Sequence, residues 1–428
     1  MHKQSAPRGT RDVLPAEWEV WHRVLDVLRR RFEAAGYGRI LTPTFEHTEV
    51  FSRAVGETTD IVGKEMYTFE DRGGRSLSLR PEGTAAVVRA FVEHGMHRMP
   101  QPVKLWYHEP MFRYERPQEG RYREHWQIGA EVFGSPTPTA DAELIHILDA
   151  SYRELGIPNL TLRINSIGAG ATRDTYRTAL VAFLRDHMDS LDEDTQRRIE
   201  TNPLRAFDSK DASTIAVMED APLISDYLDE PAREHFESLQ GLLSAAGVAY
   251  VVDPRLVRGL DYYTSTVFEF GCSDLGAQDA VGGGGRYDAL VEQLGGVATP
   301  AVGFGSGIER IMLALQAGDA AADHATHVAM YVGAESATDQ ARAFALATQL
   351  RDRGIAVELD VMQRGAGRQR KLAQQLRVPL RVLVAGDAVQ LHPRHPADAI
   401  PTELPWASAV DSVQSVLQQI EQQQSETP

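Results

Sequence analysis

The chain is 428 residues long, with 43% hydrophobic and 24% charged residues, the composition of an ordinary globular protein with room for two or three domains. A net charge of −16 argues against indiscriminate nucleic-acid binding, although local basic patches rather than total charge set a contact surface. The single cysteine, Cys272, excludes an intramolecular disulfide and any cysteine-rich metal site.

In chain order, the opening MHKQSAPRGTRDVLP lacks the apolar run of a secretion signal. No later stretch offers about 18 uninterrupted apolar residues for a membrane span. With the lone cysteine, these features lead us to expect a cytoplasmic protein without a membrane partner. Residues 17–38 (EWEVWHRVLDVLRRRFEAAGYG) carry apolar positions at helical spacing and end at glycine, which predicts an amphipathic helix with its C-cap. RILTPTFEHTEVF (39–51) reads as an extended stretch broken by Pro43. EMYTFEDRGGRSLSLRPE alternates around an RGG turn, a hairpin signal. GTAAVVRAFVEHGM (83–96) is helical, VKLWYHEPMFRYER returns to strand, and 140–157 is a further helix. Helices mixed with hairpin-joined strands predict an α+β domain on an antiparallel sheet rather than repeated βαβ units.

From about 170 to 248 the chain is helical and poor in strand signals, which predicts a helical insertion between two halves of the sheet. Strand-like sequence resumes over 248–271. AGDAAADHAT (317–326) is small, polar and uncapped, as linkers are. Beyond it, strand and helix patterns alternate β-α-β-α-β, predicting an α/β domain with a parallel sheet, closed by a helix that frays at the terminus. The expected division is a first domain over 1–320, a linker over 321–326 and a second domain over 327–428.

Within the first domain, MFRYERPQEGRYREHWQIGAEVF (111–133) predicts a hairpin with opposed faces. Arg123, His125, Gln127, Gly129 and Glu131 share one side; Trp126, Ile128, Ala130 and Val132 share the other. Arg113 and Glu115 oppose Phe112 and Tyr114 in the same way, and Pro117 with Gly120 supplies the turn. A solvated outer face is the commoner explanation for such a hairpin. This face, however, is rich in arginine, the residue suited to bidentate phosphate contact.

Three more stretches bear on chemistry. LSLRPEGTAAVVRA (77–90) puts Glu82 and Thr84 at a strand-to-helix junction, where they would either receive a ligand ammonium or cap the helix, with Thr84 as N-cap. AVGGGGRYDALVEQLGG (280–296) has four consecutive glycines that either let backbone approach a flat ligand or form a flexible turn; it fits neither a Walker A loop nor a Rossmann fingerprint. TPAVGFGSGIERIMLAL (299–315) runs from a strand into a helix whose first turn holds Glu309 and Arg310. An arginine there opposes the helix dipole by a few tenths of a kcal/mol unless an anion compensates.

FRYE (112–115) with its following loop and arginine, and GIER (307–310) ahead of an apolar helix, resemble motifs 2 and 3 of class II aminoacyl-tRNA synthetases. LTPTFEHTEVF with Pro43 looks like motif 1, the dimer-forming element. RGTRDVLP, LRPEGT, FRYERPQEGRYREHWQIGAEVFG, NPLRAFDSK (202–210), LVRGLDYYTSTVFEF (256–270) and GGGGRYDALVEQLGG together resemble the histidyl-tRNA synthetase family, in its order across residues 8 to 315. The resemblance implies an α+β catalytic domain on an antiparallel, class II synthetase-like sheet, with a helical insertion and a C-terminal α/β anticodon-binding-like domain. It implies activation of L-histidine by ATP with Mg²⁺, transfer to the 3′ end of tRNA(His), and a homodimer with Pro43 at the interface.

By the same resemblance, Glu82, Gly83, Thr84 and Gln127 would hold the amino group of histidine, and Glu131 with Tyr263, beside Tyr262, its imidazole. A site that hydrogen-bonds both ring nitrogens strands buried polar groups around any other amino acid, a discrimination of roughly 10⁴-fold. Arg113 and Arg258 would be the catalytic cations at the α-phosphate, each also touching histidine. Arg113, Glu115, Arg121 and Arg310 would hold ATP, with Arg310 on the γ-phosphate. Arg116, Gln118 and Arg123 would meet the tRNA acceptor end, where an extra guanosine is the family's main identity element. No protein ligand to a metal is assigned.

Two positions depart from the family pattern, Trp126 where His is frequent and His125 where an aromatic residue is frequent; we expect little effect on ligand contacts and altered packing beneath the floor. In the last domain VQLHPRHPADAI does not match the usual closing strands, yet Arg364, Arg368, Arg370, Lys371, Arg377 and Arg381 form a basic run without a carboxylate between Asp360 and Asp387, expected to touch RNA. The competing reading is a non-catalytic, histidine-sensing regulatory paralogue of an ATP phosphoribosyltransferase. Retention of Arg258, Arg113 and Arg310, and the presence of the last domain, argue for the enzyme.

Overall fold

A computed structural model of the chain describes residues 4–56, 59–118, 120–168, 170–260, 262–276, 278–317, 328–395 and 401–425. It divides into two compact units, 1–321 and 322–428; the expected linker at 321–326 lies outside the described residues.

The first unit opens with α1 (Pro15–Ala34), β1 (Gly38–Arg39), β2 (Phe45–His47), α2 (Thr48–Val55), β3 (Thr68–Glu70), β4 (Ser76–Leu79), α3 (Thr84–Glu93), β5 (Val103–Phe112), β6 (Glu124–Phe133), α4 (Pro138–Leu155) and β7 (Leu160–Ser166). The insertion follows as α5 (Gly170–Asp186), α6 (Glu193–Arg198), α7 (Ala212–Met218) and α8 (Glu230–Ala245). The chain then returns through β8 (Val251–Val252), β9 (Thr264–Cys272), β10 (Ala280–Arg286), α9 (Leu290–Gln293), β11 (Ala301–Gly307) and α10 (Ile308–Ala317).

Eight strands form one sheet in the order β1-β5-β6-β11-β10-β9-β7-β8. It is antiparallel through its centre, with parallel pairs only at the two edges, β1 on β5 and β7 on β8. β2, β4 and β3 make a separate small sheet. The period-two split of β6 is realised: Ile128, Ala130 and Val132 join a core with Trp21, Leu28 and Phe32 of α1, Leu148 of α4 and Ile311 of α10. Trp126 packs at the margin of this core, stacked on His108 with ring centroids 4.7 Å apart and edge-on to Trp21 at 6.0 Å. A second core joins Tyr107, Phe133 and Val267 of the strands to Phe91 of α3 and to Tyr176 and Leu180 of α5, so the insertion is rooted in the main body. Burying each such large side chain contributes roughly 1.5–3 kcal/mol.

Three local expectations are revised. In TEVF the apolar positions Val50, Phe51, Ala54 and Val55 follow helical spacing and are buried, so Thr48 starts α2 instead of prolonging an extended stretch. The four glycines are not a flexible turn: they are the middle of β10, paired on both sides. The N-cap of α3 is not Thr84, because both carboxylate oxygens of Glu82 accept the Thr84 and Ala85 backbone N–H groups, at 2.8 and 2.7 Å.

The second unit contains β12 (Met330–Ala334), α11 (Gln340–Asp352), β13 (Val357–Leu359), α12 (Ala366–Gln375), β14 (Leu380–Ala385), β15 (Ala388–Pro393), β16 (Glu403–Pro405) and α13 (Ala409–Ser425). The expected parallel sheet is mixed. β13, β12 and β14 are parallel, while β15, largely from the divergent segment, and β16 after it add antiparallel strands. Leu346 of α11 and Val413 of α13 share its main core.

Candidate active site

Gly129, Gly305 and Gly283 lie side by side across β6, β11 and β10, so the middle of the sheet carries no side chain on that face. Neighbouring side chains fold over the bare backbone. A Cβ at Gly305 would collide with the Gln127 amide, and one at Gly303 with the Glu131 carboxylate. Above this floor opens a cavity of about 300 Å³.

Its walls gather residues from distant parts of the sequence. Glu82 and Thr84 enter from the start of α3, Gln127 from β6, and Arg113, Glu115 and Arg121 from the loop between β5 and β6. Arg258, Tyr262 and Tyr263 come from the loop before β9, and Arg310 from α10. Gly83 must approach the Tyr107 ring too closely to carry a Cβ. Gln127 Oε1 is buried with no hydrogen-bond partner among the described residues, an acceptor waiting for a donor. Beside it, burial pushes the Glu82 carboxyl up, opposed by the Ala85 and Thr84 N–H groups and by Arg113.

The cations are held by acceptors at their rear. Arg113 Nε donates to Pro81 O at 2.7 Å, and its head lies 3.8 Å from Glu115, which also pairs with Arg121 at 3.4 Å. Arg310 donates to the carbonyls of Ala280, at 3.2 Å, and Gln278, so carbonyl oxygens rather than the helix dipole set its place. Burial, then Arg121, nonetheless pulls its pKa down, which is the environment of a cation short of counter-charge. Arg258 pairs with Glu269 on β9; burial works against its charge, but Glu269, Tyr263 and Asp208 outweigh it and raise its pKa.

Glu131 sits differently. It is fully buried beneath the cavity and absent from its wall. Its carboxylate accepts the hydroxyls of Thr84 at 2.8 Å, Tyr107 at 3.2 Å and Tyr287. Burial raises its pKa to about 8 against the pull of these donors, with the Glu82 charge adding to the rise. His125 reaches the cavity wall, where burial and then Arg113 hold its pKa down at about 3, so a neutral imidazole stands where an aromatic ring was expected. That departure therefore falls on the ligand surface, and only the Trp126 departure on the packing beneath.

The remaining nominated residues lie outside the cavity. Arg116 and Gln118 are exposed on the loop, Gln118 bonding Gln278 at 3.0 Å. Arg123 is braced over the Tyr114 ring, 3.8 Å from its centroid, with its Nε on Glu115 O at 3.3 Å. Pro43 is exposed beyond β1. Sequence reasoning passed over Glu269 and the two tyrosines on Glu131. Glu269 had a signal: it is a lone charge between Phe268 and Phe270, which period-two alternation turns to the opposite face.

The family model described as histidyl-tRNA synthetase matches residues 9–311. The histidine–tRNA ligase of Caldanaerobacter subterraneus subsp. tengcongensis is 48% identical over 385 residues, covering 90% of this chain and 92% of that protein. That of Thermosynechococcus vestitus is 49% identical over 371 residues, covering 87% and 86%. The crystal structure of apo S. aureus histidyl-tRNA synthetase superposes with a TM-score of 0.80 at 33% identity, over 96% of this chain and 99% of that one. The cavity, its cations and these relatives lead to one conclusion: the chain belongs to the histidyl-tRNA synthetase family.

Proposed function

We propose the following division of labour for ATP-dependent charging of tRNA(His) with L-histidine, the activity of the family. A histidine carboxylate oxygen attacks the α-phosphorus of ATP; the bond to the β-phosphate oxygen breaks, and pyrophosphate leaves. The acyl group then passes from the adenylate to the 3′-hydroxyl of the tRNA.

The observation that carries the reading is the convergence in one cavity of an unpartnered buried acceptor, Gln127 Oε1, with Glu82 and four arginines. Glu82 and Gln127, with Thr84 and the close backbone of Gly83, receive the ammonium. Tyr263 and Glu131 take the imidazole, Tyr262 closing the pocket beside them; for Glu131 to reach the ring, one of its three hydroxyl partners must yield. Arg113 and Arg258 hold the α-phosphate and the histidine carboxylate, supplying fixed positive charge where negative charge grows. Arg310 grips the γ-phosphate, and Glu115 with Arg121 holds ATP beside it. Mg²⁺ would come as part of the nucleotide substrate, neutralising phosphate charge, and no residue of the chain is assigned to hold it.

Arg116 and Gln118, exposed on the loop, suit the acceptor end of the tRNA, with Arg123 bracing that loop from behind. Residues 1–320 form the catalytic domain, and 327–428 the anticodon-binding domain, through the exposed Arg368, Arg370 and Lys371. Pro43 sits among exposed apolar side chains, Leu41 at 75% and Phe45 at 53% exposure with Phe69 edge-on to Phe45, a patch suited to a homodimer. No helix among the described residues is long and apolar enough to cross a membrane, and charging tRNA for translation puts the protein in the cytoplasm.

Arg258→Ala tests the assignment: pyrophosphate exchange should fall by roughly 10²-fold or more. Near-normal exchange would remove Arg258 from the mechanism.

A further inference from the structure

The loop that carries Arg258, Tyr262 and Tyr263 belongs to no sheet, yet among the described residues side chains from elsewhere fasten its backbone at three carbonyls. Asn165 of β7 donates to Leu256 O at 3.1 Å, from the sheet side. The other two donors are arginines of the helical insertion. Arg205, in the short turn Pro203–Asp208, donates Nη2 to Gly259 O at 2.8 Å while its Nη1 pairs with Asp208 at 3.0 Å. Arg173 of α5 donates Nη1 to Tyr263 O at 2.7 Å. Only a void of about 20 Å³ separates the loop from Asn202, Leu204 and Arg173 behind it. Asp208 also acts electrostatically on Arg258 itself.

We propose that Arg205 and Arg173 are positioning residues for the activation step: through their bonds to Gly259 and Tyr263, the insertion sets where Arg258 stands against the α-phosphate. This rests on the role given above to Arg258. Arg258 is gripped on both sides, by β7 two residues before it and by the insertion one residue after. Among the described residues its head has Nε unpartnered and is anchored by Glu269 alone. Releasing Gly259 lets the guanidinium swing about that single anchor. In Arg205→Ala the ammonium side of the amino-acid pocket, built on α3 and β6, is untouched, Arg173 still holds Tyr263 at the imidazole side, and Arg113 still faces the histidine carboxylate. The loss therefore falls on the rate of adenylate formation rather than on substrate affinity.

The test is histidine-dependent ATP–pyrophosphate exchange by the full chain carrying Arg205→Ala, Arg205→Lys, Arg258→Ala or both alanines, each checked by thermal unfolding. In Arg205→Ala, kcat should fall roughly 10- to 100-fold, the scale of a misplaced catalytic group, with KM for histidine and ATP changed less than about threefold. Arg205→Lys, which can still reach Gly259 O, should recover part of the loss. Added to Arg258→Ala, Arg205→Ala should cost almost nothing further, because both act through one group. Unchanged kcat in Arg205→Ala, a loss wholly in KM, or fully additive losses in the double variant would overturn the proposal. Failure of Arg258→Ala alone to lose exchange would instead sink the role assigned to Arg258, a result distinguishable from the others.

Discussion

At the scale of residues, the site sets a buried carboxylate against three hydroxyl donors, and burial prevails. Glu131 keeps its proton to about pH 8 in the folded protein, whereas the unfolded chain releases it near the ordinary value of 4.5. Between those values the folded state holds more protons than the unfolded one, so stability falls as pH rises through that window. Denaturant unfolding at pH 5.5 and 8.5 should show this fall in the native protein and a smaller fall in Glu131→Gln; an equal fall in both would contradict the buried, protonated carboxyl. The same variant should raise KM for histidine more than KM for ATP, and an unchanged KM for histidine would count against its contact with the imidazole. Gly305→Ala drives a methyl group into the Gln127 amide. It should cost ~1–3 kcal/mol of stability by overpacking and raise KM for histidine at least tenfold, the rough price of about 1.4 kcal/mol of lost binding; unchanged kinetics would mean the amide does not face the substrate. Gln127 was legible because alternation along one strand sets its face. The Tyr107–Glu131–Tyr287 contact was not, because it assembles across strands whose register no local pattern specifies.

At the scale of elements, one carboxylate does two things. Glu82 caps α3 and lines the cavity, so the two readings of LRPEGT are complementary rather than exclusive. Thr84 was the expected cap from its residue type, but its hydroxyl is committed to Glu131. Glu82→Ala should lose about 1 kcal/mol of stability with the cap and also histidine binding, while Glu82→Gln keeps an acceptor oxygen for the cap and loses chiefly the binding. Thermal unfolding beside KM for histidine separates them; equal stability losses in the two variants would contradict the capping role. The glycine run left two readings open for a related reason. Isolated from its neighbours it reads either as a close approach to a ligand or as a turn, and the structure gives a need for bare backbone: Tyr152 lies over Gly282, Arg258 over Gly283 and Tyr263 over Gly285.

At the scale of the whole molecule, the contrast between hairpin-joined strands, a helical stretch and β-α alternation was legible, because each leaves its own hydrophobic period. The antiparallel strands β15 and β16 were not, since Pro393, His392 and the polar segment after them blur alternation near an edge. Each unit has its own hydrophobic core, and the whole cavity belongs to the first. A fragment ending at residue 321 should therefore retain pyrophosphate exchange while charging tRNA(His) poorly; loss of exchange in a folded fragment would contradict that independence. Phe45→Glu should shift a dimer toward monomer in sedimentation, and an unaltered dimer would place the interface elsewhere. The central claim is that the cavity activates histidine, and histidine-dependent ATP–pyrophosphate exchange run beside tRNA(His) charging tests it most directly. The account predicts both activities in the native chain and the collapse of both in Arg258→Ala; histidine binding without exchange in the native chain would contradict it.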